Sequence, residues 1–218
     1  MPELSIALAK GRLQAEALRL LEHAGVAVSS EALSSRRLEI EDESGRYQFL
    51  FVKPADVPVY VEHGIADCGV VGRDVLLESG TDLLQPLSLD IGRCRLVVAV
   101  RTGVLLSELG LLRVATKYPR IASAHFGARG RPVEIIELAG SVELAAVLGL
   151  ADCIVDLVET GRTLRENGLK EIEVISESTA RLVVNRASYQ LKAAVIGNLI
   201  GALHGPGVAI GARNQSIA

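Results

Sequence analysis

Residues 156–164, Asp-Leu-Val-Glu-Thr-Gly-Arg-Thr-Leu, place two carboxylates beside a Thr-Gly-Arg-Thr turn. The apolar, β-branched run before them is long enough for a strand, and a helical pattern begins at Leu164 and stops at Gly168. Backbone N–H groups at a helix start are unpaired and attract anions, and a glycine lets the backbone approach a phosphate closely. The residues predicted to hold a phosphate are Thr160, Gly161, Arg162 and Thr163.

The two acids, Asp156 and Glu159, indicate a ligand that carries more than a phosphate. Carboxylates beside a bound phosphate would repel it unless they face sugar hydroxyls or a divalent cation. Acids next to this turn therefore predict a site for a ribose 5-phosphate. The alternative is a structural strand, turn and helix in which Thr160 or Thr163 only caps the helix.

A basic cluster, Lys10-Gly11-Arg12, follows the apolar segment 4–9, which is predicted to be a strand, and precedes a predicted helix over 13–24. In open α/β sheets this carboxyl end of a strand is the ligand edge. Lys53 ends a second predicted strand over 47–53. Cations at this edge suit a polyphosphate, and the alternative is a solvated basic turn.

A short repeat indicates two similar lobes. Residues 64–70, Gly-Ile-Ala-Asp-Cys-Gly-Val, match residues 149–155, Gly-Leu-Ala-Asp-Cys-Ile-Val, at an offset of 149 − 64 = 85 residues. Each copy lies where a helical pattern ends and a strand begins. An offset of this size suits two α/β lobes of under about a hundred residues each, although segments rich in Gly and Ala can also match by chance.

The lobes are expected to exchange the chain twice. The first crossing is predicted over residues 89–100, and a strand over 181–185 is predicted to return to the first lobe before a closing helix over 187–204. We therefore expect lobe I to comprise residues 1–94 and 179–218, and lobe II residues 95–178. Chains that cross twice form a hinged cleft, where ligands commonly bind.

Composition narrows the function further. A net charge of −3, 3% aromatic residues and no Trp give no footprint for nucleic acid. Three scattered cysteines are expected to be reduced, and four scattered histidines give no zinc site or histidine-based triad. The start of the chain lacks a secretory pattern, so a cytoplasmic protein is expected. The uncharged stretch 193–212 is not predicted to span a membrane, because Gly205-Pro206-Gly207 would break its helix and begin a loop.

The sequence resembles the ATP phosphoribosyltransferase family, the first enzyme of histidine biosynthesis. Five motifs in the same order carry the resemblance, which covers nearly the whole chain. These motifs are Ala-Lys-Gly-Arg-Leu at 9–13, Pro-Ala-Asp-Val-Pro at 54–58, Ala-Thr-Lys-Tyr-Pro at 115–119, Gly-Ser-Val-Glu-Leu at 140–144 and the segment 156–164. One departure is Lys53, where the family often has Arg; Lys keeps the charge but loses the bidentate fork.

The resemblance implies an α/β, two-lobed fold like that of type II periplasmic binding proteins, with an inter-lobe cleft. It implies transfer of the 5-phosphoribosyl group of 5-phosphoribosyl diphosphate to N1 of ATP, with release of pyrophosphate and with Mg²⁺ as cofactor. The chain length suits the short form of the enzyme. That form works with a regulatory subunit resembling histidyl-tRNA synthetase, in a hetero-octamer in the family.

We combine the motifs and the resemblance into expected roles. Asp156, Glu159 and Lys10 are expected to be catalytic. The residues expected to bind phosphoribosyl diphosphate are Lys10, Gly11, Arg12, Lys53, Asp156, Glu159, Thr160, Gly161, Arg162 and Thr163. Asp67, Arg73 and Asp152 are expected on the ATP side, with helix caps and inter-lobe ion pairs as their structural alternative.

Two other classes of protein compete with this reading. One is a solute-binding or effector-sensing module, because the implied fold serves many ligands without chemistry. The other is a phosphoribosyltransferase that uses a different base. Type I enzymes of that kind usually carry adjacent acids, whereas Leu157 and Val158 separate the two acids here.

Overall fold

The computed structural model describes residues 2–35 and 37–204, and the chain divides into two compact units. Unit 1 contains the residues up to Gly92 and those from Thr179 onward, and unit 2 contains Arg93–Ser178. Each unit consists of one β-sheet with helices packed against it. The structure thus confirms the predicted α/β class.

Unit 1 has a six-stranded sheet of order β2-β3-β1-β4-β11-β5. Its strands are β1 (Leu4–Ala9), β2 (Glu39–Glu41), β3 (Tyr47–Val52), β4 (Cys68–Gly72), β5 (Leu84–Ser88) and β11 (Ala180–Val184). Strands β1, β3 and β4 are parallel, whereas β11 is antiparallel to both of its neighbours, β4 and β5. The carboxyl ends of the parallel strands therefore meet at one edge, where the segments after Ala9, Val52 and Gly72 begin.

The helices of unit 1 cover both faces of this sheet. They are α1 (Gln14–His23), α2 (Ser30–Ser34), α3 (Val57–Glu62), α4 (Arg73–Ser79), α8 (Arg186–Leu191) and α9 (Ala193–Leu203), and a 3-10 turn over Pro54–Asp56 precedes α3. One buried cluster joins Ile6 and Leu8 to α1 and α9, and a second joins Ala7 and Val71 to α3 and α4. The alternation of β1 residues between the two clusters is that of a central strand covered on both faces.

Unit 2 has a five-stranded sheet of order β10-β6-β9-β7-β8. Its elements are β6 (Cys94–Arg101), β7 (Leu112–Thr116), α5 (Pro119–Gly127), β8 (Val133–Glu137), α6 (Glu143–Val147), β9 (Cys153–Val158), α7 (Arg162–Glu166) and β10 (Leu169–Ser178). Strands β7, β8 and β9 are parallel, and β6 is antiparallel to β9 and β10. Lys117 and Glu159 therefore follow strands that end at the same edge.

The sequence repeat has a structural counterpart in each unit. Gly64 and Gly149 both end a helix with positive φ, +71° and +77°, before β4 and β9 respectively. Each of these strands lies parallel to a neighbour, β1 in unit 1 and β7 in unit 2. The similar sequences thus build the same helix, turn and strand, and the positive φ explains the glycine in each.

The structure departs from the predicted elements in several places. The closing helix expected over 187–204 is interrupted at Lys192, where φ is −118° and ψ is +28°, so that α8 and α9 are separate. Strand β10 was not predicted. The loop expected after His204 lies outside the described residues. Within residues 2–35 and 37–204, no helix is both long enough and apolar enough to cross a bilayer.

Candidate active site

The predicted phosphate turn follows the carboxyl end of β9 in unit 2. Gly161 adopts φ +72° and ψ +11°, and α7 begins at the next residue. The Thr160 hydroxyl accepts a long hydrogen bond, 3.4 Å, from the Arg162 N–H. Since α7 has only five residues, its dipole is small, and an anion here would depend on the first N–H groups of the turn and on hydroxyls rather than on a long helix. Residues 159–163 are called the phosphate loop below.

Gly161 is favoured by its backbone conformation, and a side chain at this position would displace its neighbours. A φ of +72° lies in the left-handed region, which costs a residue with a Cβ about 1–2 kcal/mol. A Cβ at this position would also lie 2.9 Å from Glu171 Oε1 and 2.9 Å from Arg165 Nη1. The phosphate loop therefore passes directly against two charged side chains of unit 2.

Asp156 lies on β9, two residues before its carboxyl end, opposite Val97 of β6. Burial raises the pKa of the Asp156 carboxyl, and the nearby Glu143 carboxylate adds to this; the Leu157 N–H, at 2.9 Å from Oδ1, and the Lys117 ammonium act in the opposite direction without overcoming it. A half-buried carboxylate whose ionised form is disfavoured is a common sign of a functional site. Such a group responds strongly to positive charge placed beside it.

Glu159 is exposed at the start of the phosphate loop. Its backbone carbonyl accepts a hydrogen bond of 3.3 Å from Arg95 Nη1. Arg95 belongs to β6 and is paired in register with Val158, the last residue of β9. The sequence reading did not select Arg95, because nothing in the local pattern shows that residue 95 lies beside residue 159.

Lys10, Gly11 and Arg12 directly follow the carboxyl end of β1 in unit 1. The Lys10 N–H donates to the Val52 carbonyl at 2.8 Å, so Lys10 and Lys53 leave adjacent strands at the same edge. The side chains of Lys10, Arg12 and Lys53 are exposed. Gly11 has φ +92°, which favours glycine at this turn. The structure thus brings the predicted cations of unit 1 to one edge of its sheet.

Arg73 follows the carboxyl end of β4, and its N–H donates to the Thr179 carbonyl at 3.0 Å. Arg181, on β11, is paired in register with Val71 and donates from Nη1 to the Thr179 hydroxyl at 3.2 Å. Burial lowers the pKa of Arg181, and the positive charge of Arg73 lowers it further. Two guanidinium groups close together at a ligand edge favour an anion. Arg181 is a second residue that the sequence reading missed.

Asp67 and Asp152 lie at the opposite edges of their sheets. They precede β4 and β9, at the amino ends of these strands. The Asp67 carboxylate accepts hydrogen bonds from the Ser5 N–H at 2.8 Å, from the Ser188 hydroxyl at 2.7 Å and from Lys192 Nζ at 2.7 Å. These groups hold the Asp67 carboxylate within unit 1, and its contact with ATP stays a prediction.

The Asp152 carboxylate is paired in a similar way. It accepts from the Arg113 N–H at 2.9 Å and from Arg113 Nη2 at 2.7 Å. The hydrogen bond to Arg113 lowers the pKa of Asp152 more than burial raises it. Asp152 thus lies at the amino edge of its sheet with Arg113 as its partner. Of the three residues expected on the ATP side, only Arg73 follows the carboxyl end of a parallel strand.

The chain is similar in sequence to known proteins. Residues 53–205 match the family model described as ATP phosphoribosyltransferase. An ATP phosphoribosyltransferase of Geobacillus kaustophilus is 51% identical over 200 residues, covering 92% of this chain and 96% of that protein. One of Caldanaerobacter subterraneus is 52% identical over 202 residues, covering 92% and 95%.

A solved structure is also similar. It is the ATP phosphoribosyl transferase (HisG:HisZ) complex from Thermotoga maritima, in which the matched chain is 36% identical to this one, with a TM-score of 0.80. The match covers 92% of this chain and 96% of that chain. The sequence similarity to the Geobacillus kaustophilus protein and the structural similarity to the Thermotoga maritima chain each extend over 92% of this chain.

Proposed function

Because the chain belongs to the ATP phosphoribosyltransferase family, we infer that it transfers the 5-phosphoribosyl group of 5-phosphoribosyl diphosphate to N1 of ATP, releasing pyrophosphate. This is the first step of histidine biosynthesis, and we assign it to the cytoplasm. The structural observation that supports the proposal best is the position of Asp156, whose pKa is raised by burial, two residues before the end of the strand that the phosphate loop follows.

The reaction makes modest demands on proton transfer. Adenine N1 is unprotonated at neutral pH and attacks C1 of the ribose, while the C1–oxygen bond to pyrophosphate breaks and configuration at C1 inverts. The N1 lone pair forms the new bond, and the electrons of the broken bond leave with pyrophosphate. The protein must therefore align two charged substrates and stabilise positive charge on the ribose and negative charge on the leaving group.

We assign the 5-phosphate to the turn formed by residues 160–163. The N–H groups at the start of α7 and the hydroxyls of Thr160 and Thr163 are donors suited to phosphate oxygens. Gly161 leaves room for the phosphate, since it has no side chain and its φ turns the backbone into the helix. Arg162 adds positive charge, although its Nε also pairs with Glu166 at 2.6 Å.

Asp156 and Glu159 are proposed to bind the ribose hydroxyls and to stabilise an oxocarbenium-like ring. The ionised form of Asp156 is disfavoured in the free protein by burial. Positive charge developing on the ribose would offset that penalty in the transition state more than in the ground state, which is the condition for catalysis. Lys117 limits the penalty before substrate binds, because it already acts on the same carboxylate.

Lys10, Arg12 and Lys53 are proposed to neutralise the diphosphate of phosphoribosyl diphosphate. These side chains are exposed at the carboxyl edge of the unit 1 sheet, which supports this role. Each can form a charge-assisted hydrogen bond to a phosphate from solvent. Arg73 and Arg181 are proposed to meet phosphates of ATP, which carry enough charge to offset the repulsion between two guanidinium groups.

Mg²⁺ is proposed to enter with the substrate diphosphate. Among the described residues, no group of three or more His, Cys, Asp or Glu side chains is arranged to hold a metal ion. Mg²⁺ commonly binds through substrate phosphates, water and one or two carboxylates, and Asp156 and Glu159 are carboxylates of this kind in unit 2. When bound, the ion would neutralise charge on the departing pyrophosphate.

We also propose a regulatory partner that resembles histidyl-tRNA synthetase, assembled with this chain in a hetero-octamer. The similar solved structure is a HisG:HisZ complex, which supports a hetero-oligomer.

Purified protein should release pyrophosphate only when ATP and phosphoribosyl diphosphate are both present, with Mg²⁺, and adding the partner should change the rate. Equal rates with GTP or with free adenine in place of ATP would contradict the assignment of the acceptor.

A further inference from the structure

Arg95 makes three hydrogen bonds that join three strands of unit 2. Its Nε donates to Glu171 Oε2 at 2.9 Å and its Nη2 to Glu171 Oε1 at 2.8 Å, while Nη1 donates to the Glu159 carbonyl at 3.3 Å. Arg95 is on β6, Glu171 is on β10 and Glu159 directly follows β9. A planar guanidinium can make all three bonds at once because its donors point in fixed directions.

The same pair lies against the glycine of the phosphate loop. The Glu171 oxygen that accepts from Arg95 Nη2 is the one 2.9 Å from the position of a Gly161 Cβ. Arg95 thus holds the loop at its first residue, and Glu171 lies against it two residues later. The side chains of the pair are 35% and 24% exposed, so water screens them only in part.

We propose that Arg95 and Glu171 are positioning residues, which hold the phosphate loop in the conformation that binds the 5-phosphate of phosphoribosyl diphosphate. The inference rests on the proposed function, because it takes the loop to be the phosphate site. Neither side chain needs to touch the substrate. Arg95 acts through the Glu159 carbonyl, and Glu171 acts by fixing the guanidinium that holds this carbonyl.

The arrangement also explains why a carboxylate can lie so near an anion site. Glu171 alone would repel a phosphate, but its two oxygens are occupied by Arg95, and the hydrogen bond between them raises the pKa of Arg95. The pair has no net charge, so the loop is held in place without unfavourable charge beneath it. Removal of Arg95 would lose the hydrogen bond to the loop and leave the Glu171 carboxylate unpaired.

The test is steady-state kinetics of the full chain, with its regulatory partner present, for Arg95→Gln, Glu171→Gln and the double variant. We expect each single variant to raise KM for phosphoribosyl diphosphate about tenfold and KM for ATP less than about twofold. The double variant should be no worse than Arg95→Gln, since the two residues act as a unit. Arg95→Lys should have a KM for phosphoribosyl diphosphate between those of wild type and Arg95→Gln, because one ammonium group cannot make all three hydrogen bonds of the guanidinium.

Arg46→Gln is the matched control. Arg46 and Glu3 form a bidentate pair in unit 1 with the same two distances, 2.9 and 2.8 Å. Arg46→Gln removes this pair and should leave both KM values unchanged. If the wild type is active and Arg95→Gln leaves KM for phosphoribosyl diphosphate unchanged, the positioning role is overturned, whatever happens to the melting temperature of the variant. A wild-type protein that forms no product from ATP and phosphoribosyl diphosphate would instead refute the proposed function.

Discussion

Asp67 and Asp152 make the same pair of hydrogen bonds in the two units. The N–H of each donates to the carbonyl of one residue on the neighbouring parallel strand, and the carboxylate accepts from the N–H of that same residue. The partner is Ser5 in unit 1 and Arg113 in unit 2. The repeated Gly-x-Ala-Asp-Cys sequence therefore encodes a way of fixing the register of a parallel strand pair.

Replacing these aspartates should therefore affect stability rather than substrate binding. Asp67→Asn would weaken the contact with Lys192, whose partner carboxylate is 8% exposed, and should lower the free energy of unfolding by about 2 kcal/mol or more. Asp152→Asn should cost less, because the Asp152 side chain is more exposed than that of Asp67, at 18%. Urea unfolding measures the loss of stability, and steady-state kinetics measures KM for ATP and for phosphoribosyl diphosphate. A tenfold higher KM for ATP in a stable Asp67→Asn protein would show that Asp67 contributes to ATP binding.

The pH dependence of stability should show the same carboxylates. Burial raises the pKa of Asp67, but Lys192, Ser5 and Ser188 together lower it below the ordinary 3.8, and the pKa of Asp152 is also lowered. A carboxyl with a lowered folded-state pKa stabilises the protein above its unfolded pKa, and this stability is lost as pH falls from 3.8 through the folded value. The Asp67→Asn, Asp152→Asn double variant should therefore lose less stability than wild type on acidification below about pH 4.

Asp156 should behave in the opposite way. Its pKa is raised in the folded protein, so its ionised form destabilises the fold as pH rises through the folded-state pKa. Asp156→Asn should therefore keep or raise the melting temperature at pH 7 while lowering turnover by about tenfold or more, which is about 1.4 kcal/mol of transition-state stabilisation. Normal turnover with a lowered melting temperature would assign Asp156 to the core instead.

Gly161 and Gly168 provide a matched pair of substitutions. Both have positive φ, +72° and +69°, but a Cβ at Gly168 meets nothing within 4 Å. Gly161→Ala and Gly168→Ala should each lower the free energy of unfolding by about 1–2 kcal/mol from backbone strain. Only Gly161→Ala should also raise KM for phosphoribosyl diphosphate. Equal KM values in the two variants would show that the phosphate is bound elsewhere.

Lys10 tests the assignment of unit 1. Because its side chain is exposed, Lys10→Ala should leave the melting temperature unchanged and raise KM for phosphoribosyl diphosphate about tenfold, through loss of one charge-assisted hydrogen bond. Lys170→Ala removes another exposed lysine, near the amino end of β10, and serves as the control. A fall in stability for Lys10→Ala with an unchanged KM would contradict the assignment.

The sequence predicted the elements whose patterns are local. Residues 4–9 and 112–116 read as apolar strands and fold as β1 and β7, because central strands bury both faces. Strand β10 was missed because its pattern is reversed: Ile172 and Val174 are 45% and 51% exposed, whereas Glu171 faces Arg95. Two register shifts in its pairing with β6 further disturb the alternation.

Long-range partners account for two further differences. The break between α8 and α9 falls at Lys192, whose ammonium pairs with Asp67 across 125 residues of sequence. Arg95 joined the candidate site only when β6 was seen to lie beside β9, because antiparallel pairing places Arg95 opposite Val158. Motif spacing singled out the Thr-Gly-Arg-Thr turn, whereas the side chains that contact this turn from β6 and β10 could not be read from local sequence.

The central claim is the reaction, and the most direct measurement is mass spectrometry of its product. Purified protein would be incubated with ATP, phosphoribosyl diphosphate and Mg²⁺, alone and with the regulatory partner, beside Asp156→Asn under the same conditions. We expect phosphoribosyl-ATP and one pyrophosphate per product molecule from wild type in at least one mixture, and much less product from Asp156→Asn. A folded wild type that binds its partner yet forms no phosphoribosyl-ATP in either mixture would contradict the account.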